Sequence, residues 1–163
     1  MALSRLKKEE IVKKITDIIN TAESVVFVNF HGLSVGDTTK LRKDLREQDV
    51  GFTVAKKTLI KRALDNVKVN GDVPSLDGEV AVAYGKDETA PARGVYEFHK
   101  THKEQIAILG GIFEGEYKDK EEMTIIAAIP GMQILRGMFV NVINSPIQGF
   151  AVALNEIAKS KEA

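Results

Sequence analysis

Cysteine is missing altogether from the 163 residues, which excludes disulfides and thiolate metal sites and fits a reducing compartment. No apolar run opens the chain. Met1 to Glu10 is charged and reads as a helix start, without the hydrophobic stretch of a signal peptide, so a cytoplasmic protein is expected. Internal repeats of fixed period and low-complexity segments are also absent, which excludes solenoid and linker architectures. Net charge is lacking too, since 23 Lys and Arg balance 23 Asp and Glu. What the chain does have is a 44% hydrophobic content, enough to bury a core in one domain with an appendage.

The zero net charge conceals a division. Residues 1–62 carry 13 Lys and Arg against 8 Asp and Glu, a net of +5, and residues 63–163 carry the compensating −5. Electrostatic screening acts over about 8 Å at physiological salt, so local charge matters more than the sum. The excess is densest from Lys40 to Arg62, where Lys40, Arg42, Lys43, Arg46, Lys56, Lys57, Lys61 and Arg62 face only Asp44, Glu47 and Asp49.

Periodicity divides the chain into elements. Ile11, Ile15, Ile18 and Ile19 mark an amphipathic first helix, and Ser24–Phe30 reads as a buried strand. Ser34 with Asp37 has the spacing of a capping box and opens a helix from Val35 to Gln48. Val50, Phe52 and Val54 alternate as a second strand, followed by a short helix through Leu59, Ile60, Ala63 and Leu64. A loop spans Lys68 to Gly78, a third strand holds Val80, Val82 and Tyr84, and Thr89 caps a helix running to His102. A fourth strand through Ile106 and Ile108 ends at Gly110-Gly111, and Asp119–Ala128 forms another helix. After the first helix the order is β-α-β, an inserted helix, then β-α-β. The expected class is therefore α+β, a ferredoxin-like split βαββαβ domain with both crossover helices on one sheet face. The first helix or the inserted one is expected to cover the other face.

The basic stretch places like charges one turn apart: Arg42 and Arg46, Lys40 and Lys43, Lys57 and Lys61. Such pairs repel by a few tenths of a kcal/mol. A solvated helix face is the plain explanation; a polyanion that neutralises them and releases counterions is the functional one, and the charge division favours it. No aromatic platform interleaves the bases, which points to shaped or double-helical RNA over single strands.

Catalytic signals are poor. His99 and His102, with Glu97 and Glu104 nearby, lack a third fixed ligand and read as surface residues. His31 precedes Gly32 in a strand-to-helix loop without a nucleophile motif. Gly110-Gly111 through Gly115 lacks the lysine of a phosphate loop and reads as a turn, and Glu114 and Glu116 are not expected to form a catalytic carboxylate pair. No enzyme and no cofactor are expected. An enzyme using His31 or the His99/His102 pair would instead contain zinc or lose activity on histidine substitution.

The tail differs from the rest. Between Met123 and Asn155 the only charged residue is Arg136. Leu135, Met138, Phe139 and Val142 form one helical stripe; Ile147, Phe150, Ala151, Leu154 and Ile157 form a second. Ser145-Pro146 between them reads as an N-cap with proline at the first helical position, so one helix ends or kinks there and another begins. Arg136, Asn141, Asn144, Pro146 and Gln148 interrupt a transmembrane run, so a protein partner is expected in place of a membrane. Residues 1–130 are expected to form the globular domain and residues 131–163 a helical tail.

Three stretches stand in order: Phe30-His31-Gly32-Leu33-Ser34-Val35, Leu41-Arg42-Lys43-Asp44-Leu45-Arg46, and Val54-Ala55-Lys56-Lys57-Thr58-Leu59-Ile60-Lys61-Arg62-Ala63. Gly110-Gly111, Glu114-Gly115, Ile129-Pro130 and Ser145-Pro146-Ile147 follow them. Over essentially the whole chain, this set resembles the bacterial family of tenth large-subunit ribosomal proteins, which form the stalk base. The resemblance implies an N-terminal domain bound to a junction of large-subunit rRNA beside the eleventh large-subunit protein. It also implies a C-terminal helix carrying dimers of the acidic seven/twelve stalk protein, which recruit GTP-bound translation factors. The implied protein sits on the large ribosomal subunit in the cytoplasm, is not a homo-oligomer and is not catalytic. Its expected rRNA contacts are His31, Gly32, Arg42, Lys43, Arg46, Lys56, Lys57, Thr58, Lys61 and Arg62; the two stripes are expected to hold two stalk dimers. Two positions depart from the family pattern. Phe30-His31 replaces Tyr-Arg, and histidine lacks arginine's permanent charge; Lys56-Lys57-Thr58-Leu59 replaces Lys-Asn-Thr-Leu and favours phosphate contact. A free RNA-binding translational regulator on the same fold is the alternative reading.

Overall fold

The computed structural model describes residues 5–67, 69–71, 73–102 and 105–162. Expectations that touch Met1 to Ser4, Lys68 and Glu104 lie outside the described residues. The elements in order are α1 (Arg5–Thr21), β1 (Ser24–Phe30), α2 (Val35–Glu47), β2 (Gly51–Val54), α3 (Lys57–Asp65), β3 (Val80–Gly85), α4 (Ala90–Thr101), β4 (Ile106–Phe113), β5 (Glu116–Asp119), α5 (Lys120–Ala127) and α6 (Met132–Glu162). They fall into two compact units, Met1–Ile129 and Pro130–Ala163.

In the first unit the strands form one sheet in the order β2-β3-β1-β4-β5, with every neighbouring pair antiparallel. The first four strands have the ferredoxin-like order expected from the βαβ pattern. β1 (SVVFVNF) lies at the centre because its apolar residues serve both faces, and Val25 to Val28 are all buried. Val26 and Val28 pack with Leu41 and Leu45 of α2, Val95 of α4 and Met123 of α5. Val25 and Phe27 pack on the opposite face with Ile15 and Ile19 of α1 and Ile60, Ala63 and Leu64 of α3. The face left open by the crossover helices is thus covered by the first helix and the inserted helix together.

Ser34 starts α2 as the capping spacing predicts. Its hydroxyl oxygen accepts the Asp37 N–H at 3.1 Å and donates to the Asp37 carboxylate at 2.6 Å. That hydrogen bond, helped by Lys40 and opposed by partial desolvation, holds the Asp37 carboxyl below its ordinary value of 3.8. Replacing Ser34 by Ala is expected to destabilise the fold by about 1 kcal/mol at neutral pH. A carboxyl with a lowered folded-state pKa contributes stability above its unfolded value and loses it as pH falls. The difference between wild type and Ser34→Ala should therefore narrow below pH 3.8, measured by urea unfolding across a pH series. A difference that widens on acidification would contradict this role for the hydroxyl.

Three local expectations are corrected. Thr89 occupies the N-cap of α4 but makes no side-chain cap, because its backbone is helical; its N–H instead donates to the Asp87 carboxylate at 3.0 Å. The fourth strand does not end at Gly110-Gly111 but runs on to Phe113 and pairs with the unforeseen β5. The turn is Glu114-Gly115 alone, with φ of 52° and 77°, the two left-handed residues of a tight hairpin. Gly110 marks a bulge in the β1–β4 pairing, and Gly111 is a site of close approach, where a Cβ would stand 2.5 Å from the Val25 carbonyl oxygen.

Among the described residues the second unit holds one helix, so the expected helix end and new N-cap at Ser145-Pro146 are corrected. α6 continues through Pro146. Proline removes one backbone hydrogen bond and crowds the preceding turn, but the turns on either side keep theirs.

Candidate nucleic-acid interface and uncovered helix

Antiparallel pairing brings the ends of β1 and β2 to the end of the sheet where β3 begins, with Asn29 opposite Val80 and Val54 opposite Ala81. His31 and Gly32, which follow β1, therefore share an end of the sheet with Lys56, Lys57 and Thr58, which follow β2. Lys56, Lys57 and Thr58 line a groove of about 620 Å³ whose walls also include Phe30, Val54 and Glu79. Gly32 makes the exit from β1 with φ of 73°. His31, Gly32, Lys56, Lys57 and Thr58 are all exposed.

The remaining bases do not join them in one patch. Arg42, Lys43 and Arg46 lie on α2, Lys61 and Arg62 on α3, and these helices pack on opposite faces of the sheet. All five are exposed. On α2, Lys40 meets Asp37 at 3.7 Å, Lys43 meets Glu47 at 4.0 Å, and the Arg42 guanidinium lies 5.9 Å from the centre of the Phe52 ring. Exposed pairs of this kind are weak. Among the described residues, Arg46, Lys56, Lys57, Lys61 and Arg62 make no ion pair. Packing of α1 on α3 adds bases that sequence reasoning left out: Lys8 and Lys13 line a groove with Arg62. The signal for them was the lysine-rich start of the first helix, but nothing local tied it to α3.

The histidines near the end of α4 are held by the fold. His99 Nδ1 is hydrogen-bonded to the Ile106 carbonyl oxygen, and the His102 ring stacks on Phe98 with centroids 4.4 Å apart. Among the described residues, no group of three or more His, Asp or Glu is placed to hold a metal ion.

On α6, Met138, Phe139, Val142, Ile147, Phe150, Ala151, Leu154 and Ile157 are exposed, and Leu135 is half-buried. Phe139 and Phe150 are 68% and 67% exposed, high values for phenylalanine. Helix α6 is long and apolar enough, by length and composition, to cross a membrane. It also carries Arg136, Asn141, Asn144 and Gln148 along that length.

These features define a class: an α+β sheet domain with an outward-facing basic surface, followed by an apolar helix without cover. A family model described as ribosomal protein L10 matches residues 3–100. The large ribosomal subunit protein uL10 of Bacillus licheniformis is 35% identical over 156 residues, covering 95% of this chain and 93% of the relative. Its counterpart in Lactobacillus acidophilus is 35% identical over 159 residues, covering 96% and 93%. That of Oceanobacillus iheyensis is 32% identical over 157 residues, covering 96% and 94%. The chain belongs to the ribosomal protein L10 family.

Proposed function

We propose that this cytoplasmic large-subunit ribosomal protein forms the base of the ribosomal stalk, gripping rRNA through its globular unit and carrying stalk-protein dimers on α6. The observation that carries the reading is the division of labour between the units: one presents unpaired cations, the other an uncovered apolar helix. Cations of this kind position and neutralise phosphates without reading bases. His31, Gly32, Lys56, Lys57 and Thr58 form one candidate group at the sheet end, Lys61 and Arg62 continue it along α3, and Arg42, Lys43 and Arg46 are the second row on α2. The eleventh large-subunit protein is the proposed neighbour on the rRNA.

The tail's partner is proposed to be the acidic seven/twelve stalk protein, whose dimers recruit GTP-bound factors. The first patch comprises Leu135, Met138, Phe139 and Val142; the second comprises Ile147, Phe150, Ala151, Leu154 and Ile157. At 3.6 residues per turn their centres differ by about a third of a turn around a continuous helix, so two dimers approach from different sides. Attachment to the ribosome, and not to a bilayer, is the fate we assign to this helix. The chain works as a single copy in that assembly.

Replacing Lys56 and Lys57 together by Glu is expected to weaken binding to a stalk-base rRNA fragment and to flatten its salt dependence. Each lost phosphate contact should lower the log–log slope by about 1. Filter binding across a KCl series measures this, and an unchanged slope would remove these lysines from the interface.

A further inference from the structure

The loop between α3 and β3 is fastened to the hairpin at one edge of the sheet. The Asn70 N–H donates to the Gly115 carbonyl oxygen at 3.3 Å, and the Tyr117 N–H donates to the Asn70 carbonyl oxygen at 2.9 Å. These two bonds make an isolated parallel bridge between Asn70 and Glu116, on the edge of β5 that β4 leaves open. Gly71 follows with φ of 103°, and an added Cβ would stand 3.4 Å from the Tyr117 Cβ. Asn70 itself is exposed.

An asparagine followed by glycine can react with its own backbone. The peptide nitrogen of the glycine, once deprotonated, attacks the side-chain carbonyl carbon Cγ of the asparagine. The new N–Cγ bond closes a succinimide ring, the Cγ–Nδ2 bond breaks, and the nitrogen leaves as ammonia with a proton from solvent. Water then opens the ring at either carbonyl, giving aspartate or isoaspartate; in the latter the main chain runs through Cβ and Cγ. No oxidant or reductant is consumed. Glycine favours closure because it has no Cβ to crowd the ring. A following N–H that is already hydrogen-bonded is held away from the attack.

The fold separates the asparagines on that last condition. Asn20 lies in α1, and Asn141, Asn144 and Asn155 lie in α6, where the next N–H belongs to the helix ladder. After Asn29, the Phe30 N–H donates to the Glu79 carbonyl oxygen at 3.2 Å. After Asn66, the Val67 N–H donates to the Leu64 carbonyl oxygen at 3.0 Å. The Gly71 N–H donates no hydrogen bond among the described residues. Asn70 is also the one asparagine that precedes a glycine; Asp77-Gly78 shares that successor but has no amide to expel.

We propose that Asn70 is a site of spontaneous deamidation, and that its isoaspartyl product unfastens the loop from β5. The reaction needs only water, so it stands independently of the rRNA and stalk-protein readings. Rerouting lengthens the main chain by one carbon and turns the carbonyl that meets Tyr117 into a carboxylate beside Glu116. The longer chain and the like charge both oppose the bridge.

The test ages the purified full-length protein at mildly alkaline pH, in ordinary water and in water enriched in heavy oxygen. Cleavage after Lys68 and Lys86 yields the peptide 69–86, in which Asn70 is the only asparagine and glutamine is absent. This peptide is expected to shift from the amide to the acid mass before any other asparagine-bearing peptide. It should take up one heavy oxygen and resolve into two products of equal mass, while Asn70→Gln shows no shift over the same period. Earlier conversion of another asparagine, or an acid product without the heavy oxygen, overturns the site. Exchange of the Tyr117 amide, followed by NMR, should be about fivefold faster in the aged chain, as loss of one backbone hydrogen bond requires. Asn70→Asp adds the charge without rerouting the chain and should leave that exchange unchanged. No rise in the aged chain, or an equal rise in Asn70→Asp, overturns unfastening by the isoaspartyl product.

Discussion

A chain ending at Pro130 is expected to fold, to bind rRNA as the full-length protein does, and to lose its stalk dimers entirely. The first unit ends at Ile129 and holds both clusters of buried apolar side chains, so truncation removes none of its core. The helix that is lost has little support of its own. Gly137 and Gly149 have no neighbouring atom within 4 Å of an added Cβ, so neither is required by packing in the free chain. In a helix interior each costs about 1 kcal/mol relative to alanine, and Pro146 about 3. Covering a patch of four large side chains returns about 6–12 kcal/mol before ordering costs, at 1.5–3 each. Binding of the proposed partner would therefore outweigh the poor intrinsic propensity of the helix. Co-purification with the stalk protein, followed by native mass measurement, should give two dimers on the full chain and none on the truncated one. Capture of dimers by the truncated chain would end the tail assignment.

The largest loss of stability is expected from Phe27→Ala. Phe27 is 0% exposed on the central strand, paired between Val82 and Gly110, and packs among Ile15, Ile60 and Leu64. Emptying such a site costs about 3–5 kcal/mol, because the surroundings relax only partly into the cavity. The urea midpoint should fall with little change in slope. The comparison is Phe139→Ala, at a position 68% exposed, where stability should change by less than about 0.5 kcal/mol while dimer capture weakens. Equal destabilisation by both substitutions would mean that Phe139 is packed in the native protein.

Much of the fold was legible because apolar period is a local signal. Ile11, Ile15 and Ile19 repeat along a helix, and SVVFVNF is bounded and β-branched, so α1 and β1 were readable from neighbours a few residues away. β5 escaped because EYKD has no apolar run; its strand character comes from pairing with Gly110 to Phe113. The Gly110-Gly111 pair misled for a related reason. Glycine marks turns, but here one residue sits at a bulge and the other beside the Val25 carbonyl oxygen, and both conditions are set by β1. Ser145-Pro146 has the local signature of an N-cap with proline in the first turn, yet α6 passes through it.

The candidate site was legible in its residues and not in its grouping. Lys40 to Arg62 is one dense basic run in sequence, yet α2 and α3 leave it on opposite faces of the sheet. Lys8 and Lys13, some fifty residues before Arg62, end beside it.

The amino-acid sequence by itself determined the period of each element, the positions that must be buried, the uncovered helix and the family. Tertiary structure alone decided which charges share a surface. Periodicity spans 2 or 3.6 residues and is written into any short window. A common face is set by which helices pack on which side of a sheet, through Ile60, Ile15 and Phe27 meeting from three distant segments, and no local window contains that contact.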